Sequence, residues 1–184
     1  MPARPTLETP RLILRPFALG DAPDVQRLAG AWEVASTTLN IPHPYEDGVA
    51  EAWVATHQAR FDAGEMVTLA VTLREGGALI GGIGLRFDAP HERAEMGYWI
   101  AVPHWNQGYC TEAARAMLHY GFEERGMHRI GATHLARNPA SGRVMHKIGM
   151  TREGCLRHFV KKWGQFEDLV WCGLLREEWE AQGR

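Results

Sequence analysis

The sequence predicts a single domain of the α+β class, with antiparallel strands in the middle of the chain and helices before and after them. Residues 66–88 hold two β-rich runs around Glu75-Gly76-Gly77, an arrangement typical of a β-hairpin. A third run, AEMGYWIAV at residues 94–102, extends the hairpin into a meander. Apolar residues recur at helical spacing within residues 49–61 and again within residues 110–122. These three observations together favour α+β.

The elements before the meander follow from helix-start and helix-stop signals. An aspartate at a helix start accepts unpaired backbone N–H bonds, and a glycine just past the last turn ends the helix. The predicted elements are a strand at residues 12–15, a helix from Asp21 to Gly30, a helical patch near Trp32 and a longer helix from Asp47 to Gly64. Two prolines keep the segment NIPHPYEDG irregular.

The elements after the meander are predicted in the same way, and Gly97 within the meander suggests a bulge or a close backbone approach. In NPASGRVMHKIG, Asn138 stands at the N-cap, Pro139 at the first position and Gly149 just past the end. The remaining elements are a helix to about Arg125, a strand in HRIGATHLA, two strands that turn at Trp163-Gly164, and a short charged helix. No repeat or linker divides the chain, so residues 1–184 are expected to form one domain.

Composition limits the classes of partner. Twenty Lys and Arg residues against 22 Asp and Glu residues give a net charge of -2, which argues against a protein held to nucleic acid or membrane by bulk charge. No stretch approaches the ~20 apolar residues of a membrane span, and the first residues lack the apolar core of a signal peptide. The three cysteines include no CxxC, and the nine histidines include no HExxH. We therefore expect a cytoplasmic protein, monomeric or homodimeric, without a metal.

The segment HWNQGYCTEAAR, residues 104–115, is the first that indicates chemistry. It places a glycine-containing loop between a strand and a helix. The unpaired N–H groups of a helix's first turn attract phosphate, and Gly108 lets a ligand approach the backbone closely. An ordinary strand-to-helix turn explains the same pattern. The P-loop pattern GxxxxGK[ST] and a Rossmann fingerprint are both absent.

Together with NPASGRVMHKIGM, the longer segment AEMGYWIAVPHWNQGYCTEAARAML resembles the GNAT superfamily of acyl-CoA-dependent N-acyltransferases, and within it the RimJ/RimL-like branch. The resemblance extends from ETPRLILRPF at residue 8 to LLREEW at residue 179. It implies the GNAT fold, in which helices flank a mostly antiparallel mixed sheet of about seven strands that splays at the coenzyme site.

The same resemblance implies which residues bind acetyl-CoA as cosubstrate. The strand edge formed by Ile100, Ala101 and Val102 would pair with the pantetheine amides, and Asn138 and Ser141 would contact the pantetheine arm. The diphosphate would lie on the backbone N–H groups of the loop and the helix start, namely Gln107, Gly108, Tyr109, Cys110, Thr111 and Glu112.

Two positions depart from the wider superfamily pattern. Many GNAT enzymes carry a tyrosine in the second helix as the acid that protonates the leaving thiolate, but Met145 stands there. The acid would then be Ser141, a water molecule or no group at all. Trp105 replaces an arginine or glutamine of the wider loop motif, which is usual for the RimJ/RimL-like branch.

Acyl transfer to an amine requires the amine to lose a proton, and Glu95 is our leading candidate for the base. Strand alternation puts Glu95 on the same face as Gly97 and Trp99, beside the expected thioester. The alternatives are a solvated carboxylate, or an ion-pair partner of Arg93 or Arg129.

The acceptor pocket is expected under the loops at residues 37–48 and 160–166. Its candidate wall residues are Trp32, His43 and Tyr45.

The sequence thus predicts an acetyl-CoA-dependent N-acetyltransferase whose acceptor is a protein or peptide α-amino terminus or a small amine. An α-amino group has a pKa near ~8 and a lysine amine near ~10.4, so the former needs less help at neutral pH. One alternative makes Cys110 a nucleophile, because a helix N-terminus favours the thiolate. Another is an acyl-CoA-binding sensor without catalysis.

Overall fold

A computed structural model describes residues 3–183 of the chain. The strands are β1 (Leu7–Glu8), β2 (Leu12–Pro16), β3 (Met66–Leu73), β4 (Leu79–Asp88), β5 (Arg93–Ile100), β6 (Arg129–Leu135), β7 (Thr151–Lys162) and β8 (Gln165–Leu175). The helices are α1 (Ala22–Ala29), α2 (Trp32–Thr37), α3 (Val49–Ala55), α4 (His57–Asp62), α5 (Tyr109–His119), α6 (Pro139–Lys147) and α7 (Arg176–Ala181).

The strands form one mixed sheet in the order β1-β2-β3-β4-β5-β6-β8-β7. The predicted α+β class is confirmed. The sheet has eight strands rather than about seven, because the two-residue β1 pairs with β2. No helix within residues 3–183 is both long and apolar enough to cross a membrane.

The pairing of β5 with β6 is the one parallel pairing among these strands, and it is short. It joins residues 93–96 to residues 129–132. Beyond Met96, β5 continues beside β4 alone, while β6 continues beside β8. The two strands therefore diverge, and the sheet splays between Gly97–Ile100 of one strand and Thr133–Leu135 of the other.

Two apolar clusters lie on opposite faces of the sheet. Met96 and Ile100 of β5 point into the first, where α5 and α6 contribute Met117 and Met145. Trp99 points the opposite way, into a second cluster with Phe17 and helices α1 to α3. Strand alternation thus gives β5 two chemically separate faces.

The predicted helix from Asp21 to Gly30 is confirmed as α1, but the two aspartates predicted to cap α1 and α3 bond to other partners. The Asp21 carboxylate does not cap α1; it accepts two hydrogen bonds from Arg15 and one from the Ala18 N–H. Asp47 accepts from Gln26, and Gly48, in the left-handed region, stands at the N-cap of α3. The expected long helix is divided into α3 and α4 at Thr56.

The suggested irregularity at Gly97 was also wrong. Gly97 pairs in register with Gly84, and a Cβ atom placed on Gly97 would have no atom within 4 Å. The glycine therefore leaves open space at the splay. In β3–β4, by contrast, the register shifts between Val71 and Thr72.

His57, at the start of α4, generates a prediction about acid stability. The ring is buried at 4% exposure against Trp53, at a centroid distance of 4.4 Å, and burial lowers its pKa from 6.5 to about 4. The unfolded chain therefore takes up a proton near pH 6.5, while the folded protein resists it until near pH 4. We expect the free energy of unfolding to fall by up to about 3 kcal/mol between these pH values.

The measurement is urea denaturation at pH 7 and at pH 4.5. His57→Phe keeps an aromatic ring without a titrating group and should remove most of this pH dependence. His91→Gln, at an exposed histidine, is the matched control and should keep it. Equal pH dependence in the parent protein and His57→Phe would contradict the assignment.

Candidate active site

The splay between β5 and β6 opens into a cavity of about 810 Å³. This volume lies within the usual range for a small-molecule site, roughly 300–1,000 Å³. Its lining includes the diverging part of β5, the start of α5, the first residues of α6 and the segment from Thr37 to Pro42. The cavity thus brings together the loop before α5 and the start of α6, which lie more than twenty-five residues apart in the sequence.

The loop before α5 exposes the first turn of that helix. Gly108 is the N-cap at φ +82°, and no side chain caps the helix. The N–H groups at the start of α5 are therefore available to an anion, and the helix dipole favours negative charge there. Gly108, Tyr109, Cys110 and Thr111 line the cavity, whereas Gln107 is outside its lining.

Glu112 does not join this group. Its N–H donates to the Gly108 carbonyl. Its carboxylate accepts from Thr9 at 2.6 Å and from the Arg11 side chain at 2.7 Å, and these bonds keep the pKa of Glu112 below its usual value. Glu112 therefore connects the N-terminal strands to α5, and its N–H group is not available to bind a diphosphate.

Arg11 is a residue that sequence analysis missed. It donates to the Gln107 carbonyl at 3.0 Å, and its guanidinium lies 4.5 Å from the Tyr109 ring centroid. A cation is thereby held against the loop. Because Arg11 stands about 96 positions from its partner, nothing in the local sequence pattern identified it.

Arg143 and Lys147, four residues apart on α6, also line the cavity. Their spacing on one helix face was a signal that could have been used.

The edge of β5 offers fewer backbone groups than predicted. The Ala101 N–H donates to the Ile80 carbonyl at 2.8 Å, so Ala101 cannot pair with a ligand through that group. By strand alternation, the N–H groups of Tyr98 and Ile100 face the splay instead. Ile100 lines the cavity, while Ala101 and Val102 are outside the lining. Trp105 donates to the Ile100 carbonyl at 2.6 Å and fastens the loop to this strand.

The start of α6 brings Asn138 and Ser141 to the cavity. Asn138 is the N-cap as predicted, since its side chain accepts from the Ser141 N–H at 3.3 Å. The Ser141 hydroxyl lies 2.9 Å from the hydroxyl of Tyr98, which sequence analysis did not single out. Met145 is buried at 1% exposure and faces the core.

Cys110 packs against the first core, as the helical period predicted. Burial raises the pKa of its thiol to about 12. The thiol is therefore neutral at physiological pH, and the geometry does not favour the nucleophile alternative.

Glu95 lines the same cavity on the face of β5 that carries Trp99. One carboxylate oxygen accepts from Arg86 at 2.5 Å, and the other lies 3.4 Å from the Thr133 hydroxyl. Its ion-pair partner is thus Arg86, whereas Arg93 pairs with Asp88 and Arg129 with Glu153. Glu95 also lines a second cavity of about 670 Å³, so the carboxylate is reachable from outside the first.

The two loops expected to select the acceptor meet over the cavity. Lys162, buried at 5% exposure, donates to the carbonyls of Leu39 and Ile41 at 3.3 Å. Arg137 donates to the Ser36 carbonyl at 2.6 Å. Cations from the β6–β8–β7 side therefore hold residues 36–41 in place.

The three predicted wall residues separate in the structure. Tyr45 lines the cavity. Trp32 and His43 do not; Trp32 stacks on Trp163 at 4.8 Å, and His43 contacts both rings from the side. This aromatic group is at the outer surface, where Trp32 is 55% exposed and Trp163 is 44% exposed.

The family profile described as Acetyltransferase (GNAT) domain matches residues 11–151, which include the splay, the loop before α5 and the start of α6. The chain belongs to the GNAT acetyltransferases. No group of three or more His, Cys, Asp or Glu residues within residues 3–183 is arranged to hold a metal ion.

Relatives agree with this assignment. This GNAT acetyltransferase is 33% identical over 157 residues to the uncharacterized N-acetyltransferase YoaA of Bacillus subtilis, covering 85% of this chain and 88% of that one. A GNAT-family acetyltransferase from Bacillus anthracis has a similar structure, with a TM-score of 0.83 at 28% identity, covering 94% and 99% of the two chains. RimL, named as a ribosomal L7/L12 α-N-protein acetyltransferase and solved with coenzyme A, has a TM-score of 0.82 at 16% identity, covering 93% and 98%.

Gly108 allows a direct test of the loop before α5. Gly108→Asp would put a negative charge beside the uncapped N–H groups. Because that charge would repel a diphosphate, we expect coenzyme A affinity to fall at least tenfold, about 1.4 kcal/mol, in titration calorimetry.

The matched control is Gly108→Asn, which has nearly the same shape and also tolerates positive φ. The comparison of Asp with Asn isolates the charge from backbone strain. Equal affinities of the two folded variants would show that the diphosphate lies elsewhere.

Proposed function

We propose that this GNAT enzyme transfers the acetyl group of acetyl-CoA to a primary amine, most readily a protein or peptide α-amino terminus, by direct attack on the bound thioester. The observation that carries the proposal is the cavity at the splay, which has an uncapped helix N-terminus at one side and the Glu95 carboxylate on the other face of β5.

Several features support acetyl-CoA as the donor. The loop and the start of α5 would hold the diphosphate, with Arg11, Arg143 and Lys147 as nearby cations. The N–H groups of Tyr98 and Ile100, which face the splay, would donate to carbonyls of the pantetheine arm, in the manner of an added strand.

An α-amine acceptor agrees with the chemistry of the site. Glu95 is a single partly exposed carboxylate, with 32% side-chain exposure, and it is already paired with Arg86. An α-amine with a pKa near ~8 is already partly neutral at physiological pH, so it needs less help from a carboxylate than a lysine with a pKa near ~10.4. The name of RimL, an α-N-protein acetyltransferase of the same fold, favours the same acceptor and the RimJ/RimL-like branch. A cytoplasmic location and a monomeric or dimeric state stay predictions.

The experiment is incubation with acetyl-CoA and matched acceptors. One set of peptides has a free α-amino terminus and no lysine; a second set has a blocked terminus and one lysine; small amines form the third. We expect acetylation of the first set, detected by mass spectrometry and by release of coenzyme A thiol. Acetylation confined to lysines or small amines would overturn the proposed acceptor, and the absence of thiol release with every amine would overturn the proposed transfer.

Glu95→Gln tests the proposed base. The change keeps the shape of the side chain but removes the charge that accepts a proton. Turnover should fall by the ~10²–10⁴ typical of a lost general base, with acetyl-CoA affinity nearly unchanged. The deficit should shrink as pH rises, because more of the amine is already neutral in solution.

Arg86→Gln is the matched control, since it breaks the same ion pair but keeps the carboxylate. If Glu95 acts only through that pair, the two variants will show the same loss of turnover. If Glu95→Gln keeps the turnover of the parent protein from pH 6.5 to pH 9, Glu95 is not the base. Catalysis would then depend on positioning of the substrates and on proton transfer to bulk water.

A further inference from the structure

Two hydroxyl groups meet at the wall of the active-site cavity, one from β5 and one from α6. The Tyr98 hydroxyl lies 2.9 Å from the Ser141 hydroxyl and 3.2 Å from the Ser141 carbonyl oxygen. Both residues line the cavity. Met145 occupies the position of the tyrosine that many GNAT enzymes carry on this helix, and it faces the core.

The hydrogen atoms of this pair can be arranged in two ways, since each hydroxyl has one hydrogen to donate. If Tyr98 donates to the Ser141 carbonyl, Ser141 can donate to Tyr98, and its hydrogen is then directed at the phenol. If Tyr98 donates to the Ser141 hydroxyl oxygen, the serine hydrogen is free to point into the cavity. Tyr98 therefore decides whether Ser141 can act as a donor there.

The surroundings of Tyr98 keep it in the donating form. Burial, with the nearby Cys110 as a lesser cause, raises the pKa of the phenol well above its usual value of 10. The phenol stays protonated throughout the physiological pH range. A hydroxyl whose oxygen accepts a hydrogen bond from Tyr98 also donates its own hydrogen more strongly.

We propose that Tyr98 is a positioning residue that donates to the Ser141 hydroxyl oxygen and so aims the Ser141 hydrogen at the sulfur that leaves in acetyl transfer. This inference rests on the proposed function.

In the proposed transfer, the amine nitrogen forms its bond to the acetyl carbon and loses one proton to Glu95 or water. The carbon–sulfur bond breaks with its electron pair on sulfur, and the Ser141 hydroxyl stabilises the departing thiolate with a hydrogen bond. The thiolate then takes its proton from water. One proton leaves nitrogen and one reaches sulfur, so no oxidant or reductant is needed.

The thiol of bound coenzyme A gives a readout that does not depend on turnover. A hydrogen bond to the thiolate favours the ionised form, so it lowers the pKa of the bound thiol below that of a free thiol, near ~8.5. The pKa is measured by following the ultraviolet absorbance of the thiolate across pH. We expect the parent protein to lower it by about one pKa unit, the size expected for one hydrogen bond to a charged group.

Tyr98→Phe should restore the pKa of the bound thiol most of the way toward the free value, and Ser141→Ala should restore it fully. Turnover should fall about tenfold in each variant, and the double variant should lose no more than Ser141→Ala. Affinity for coenzyme A at pH 6, where the thiol is protonated, should stay within twofold of the parent. Tyr120→Phe is the matched control, because it removes a hydroxyl from a buried tyrosine outside the cavity lining and should change none of these quantities.

The outcomes separate this inference from the proposed function. If Tyr98→Phe has the same bound-thiol pKa and the same turnover as the control Tyr120→Phe, the proposed role of Tyr98 is overturned and the proposed function is not. Losses that multiply in the double variant would overturn it too, because the two residues would then act independently. A parent protein that binds coenzyme A, with the expected thiol pKa, but acetylates no amine would support the hydroxyl pair and overturn the proposed function.

Discussion

The divergence of β5 from β6 is the constraint on which the site depends. Parallel pairing joins these strands over only four residue pairs, and beyond Ala132 the partner of β6 is β8 alone. The N–H groups of Tyr98 and Ile100 consequently face a gap. An unmet backbone group costs about 1–3 kcal/mol when it is buried, so this edge favours water or a ligand that carries amides. The same divergence brings the starts of α5 and α6 to one cavity.

Polar contacts between distant segments keep the walls of that cavity in place. Glu112 joins α5 to the N-terminal strands, and Lys162 and Arg137 hold residues 36–41 from the far side of the sheet. The pair of Glu112 with Arg11 is an ion pair, and a solvent-exposed pair contributes at most about 1 kcal/mol to stability. Lys162 and Arg137 donate to backbone carbonyls, and a hydrogen bond from a charged group contributes about 1.5–3 kcal/mol. All three contacts position loops that apolar packing alone would leave free.

The two faces of β5 carry different polar side chains. Tyr98 points toward α6 and meets Ser141, whereas Glu95 and Trp99 point toward the opposite face. A strand places successive side chains on opposite faces, so Glu95 and Tyr98 stand three residues apart on β5 without touching. Arg86 and Thr133 contact Glu95, and Ser141 at the start of α6 contacts Tyr98.

The amino-acid sequence by itself determined the α+β class, the meander, the N-cap at Asn138 and the glycine loop before α5. Each of these depends on periodicity or on residues within one turn of each other. Only the tertiary structure showed that the side chains of Asp21 and Asp47 bond to Arg15 and Gln26 and do not cap their helices. It also showed that Trp32 and His43 contact Trp163 outside the cavity lining. The pairings of Arg11 with Glu112 and of Tyr98 with Ser141 were likewise beyond sequence reasoning. These two contacts join residues 101 and 43 positions apart, respectively. A side chain with several potential partners takes the one that the fold brings within hydrogen-bonding distance.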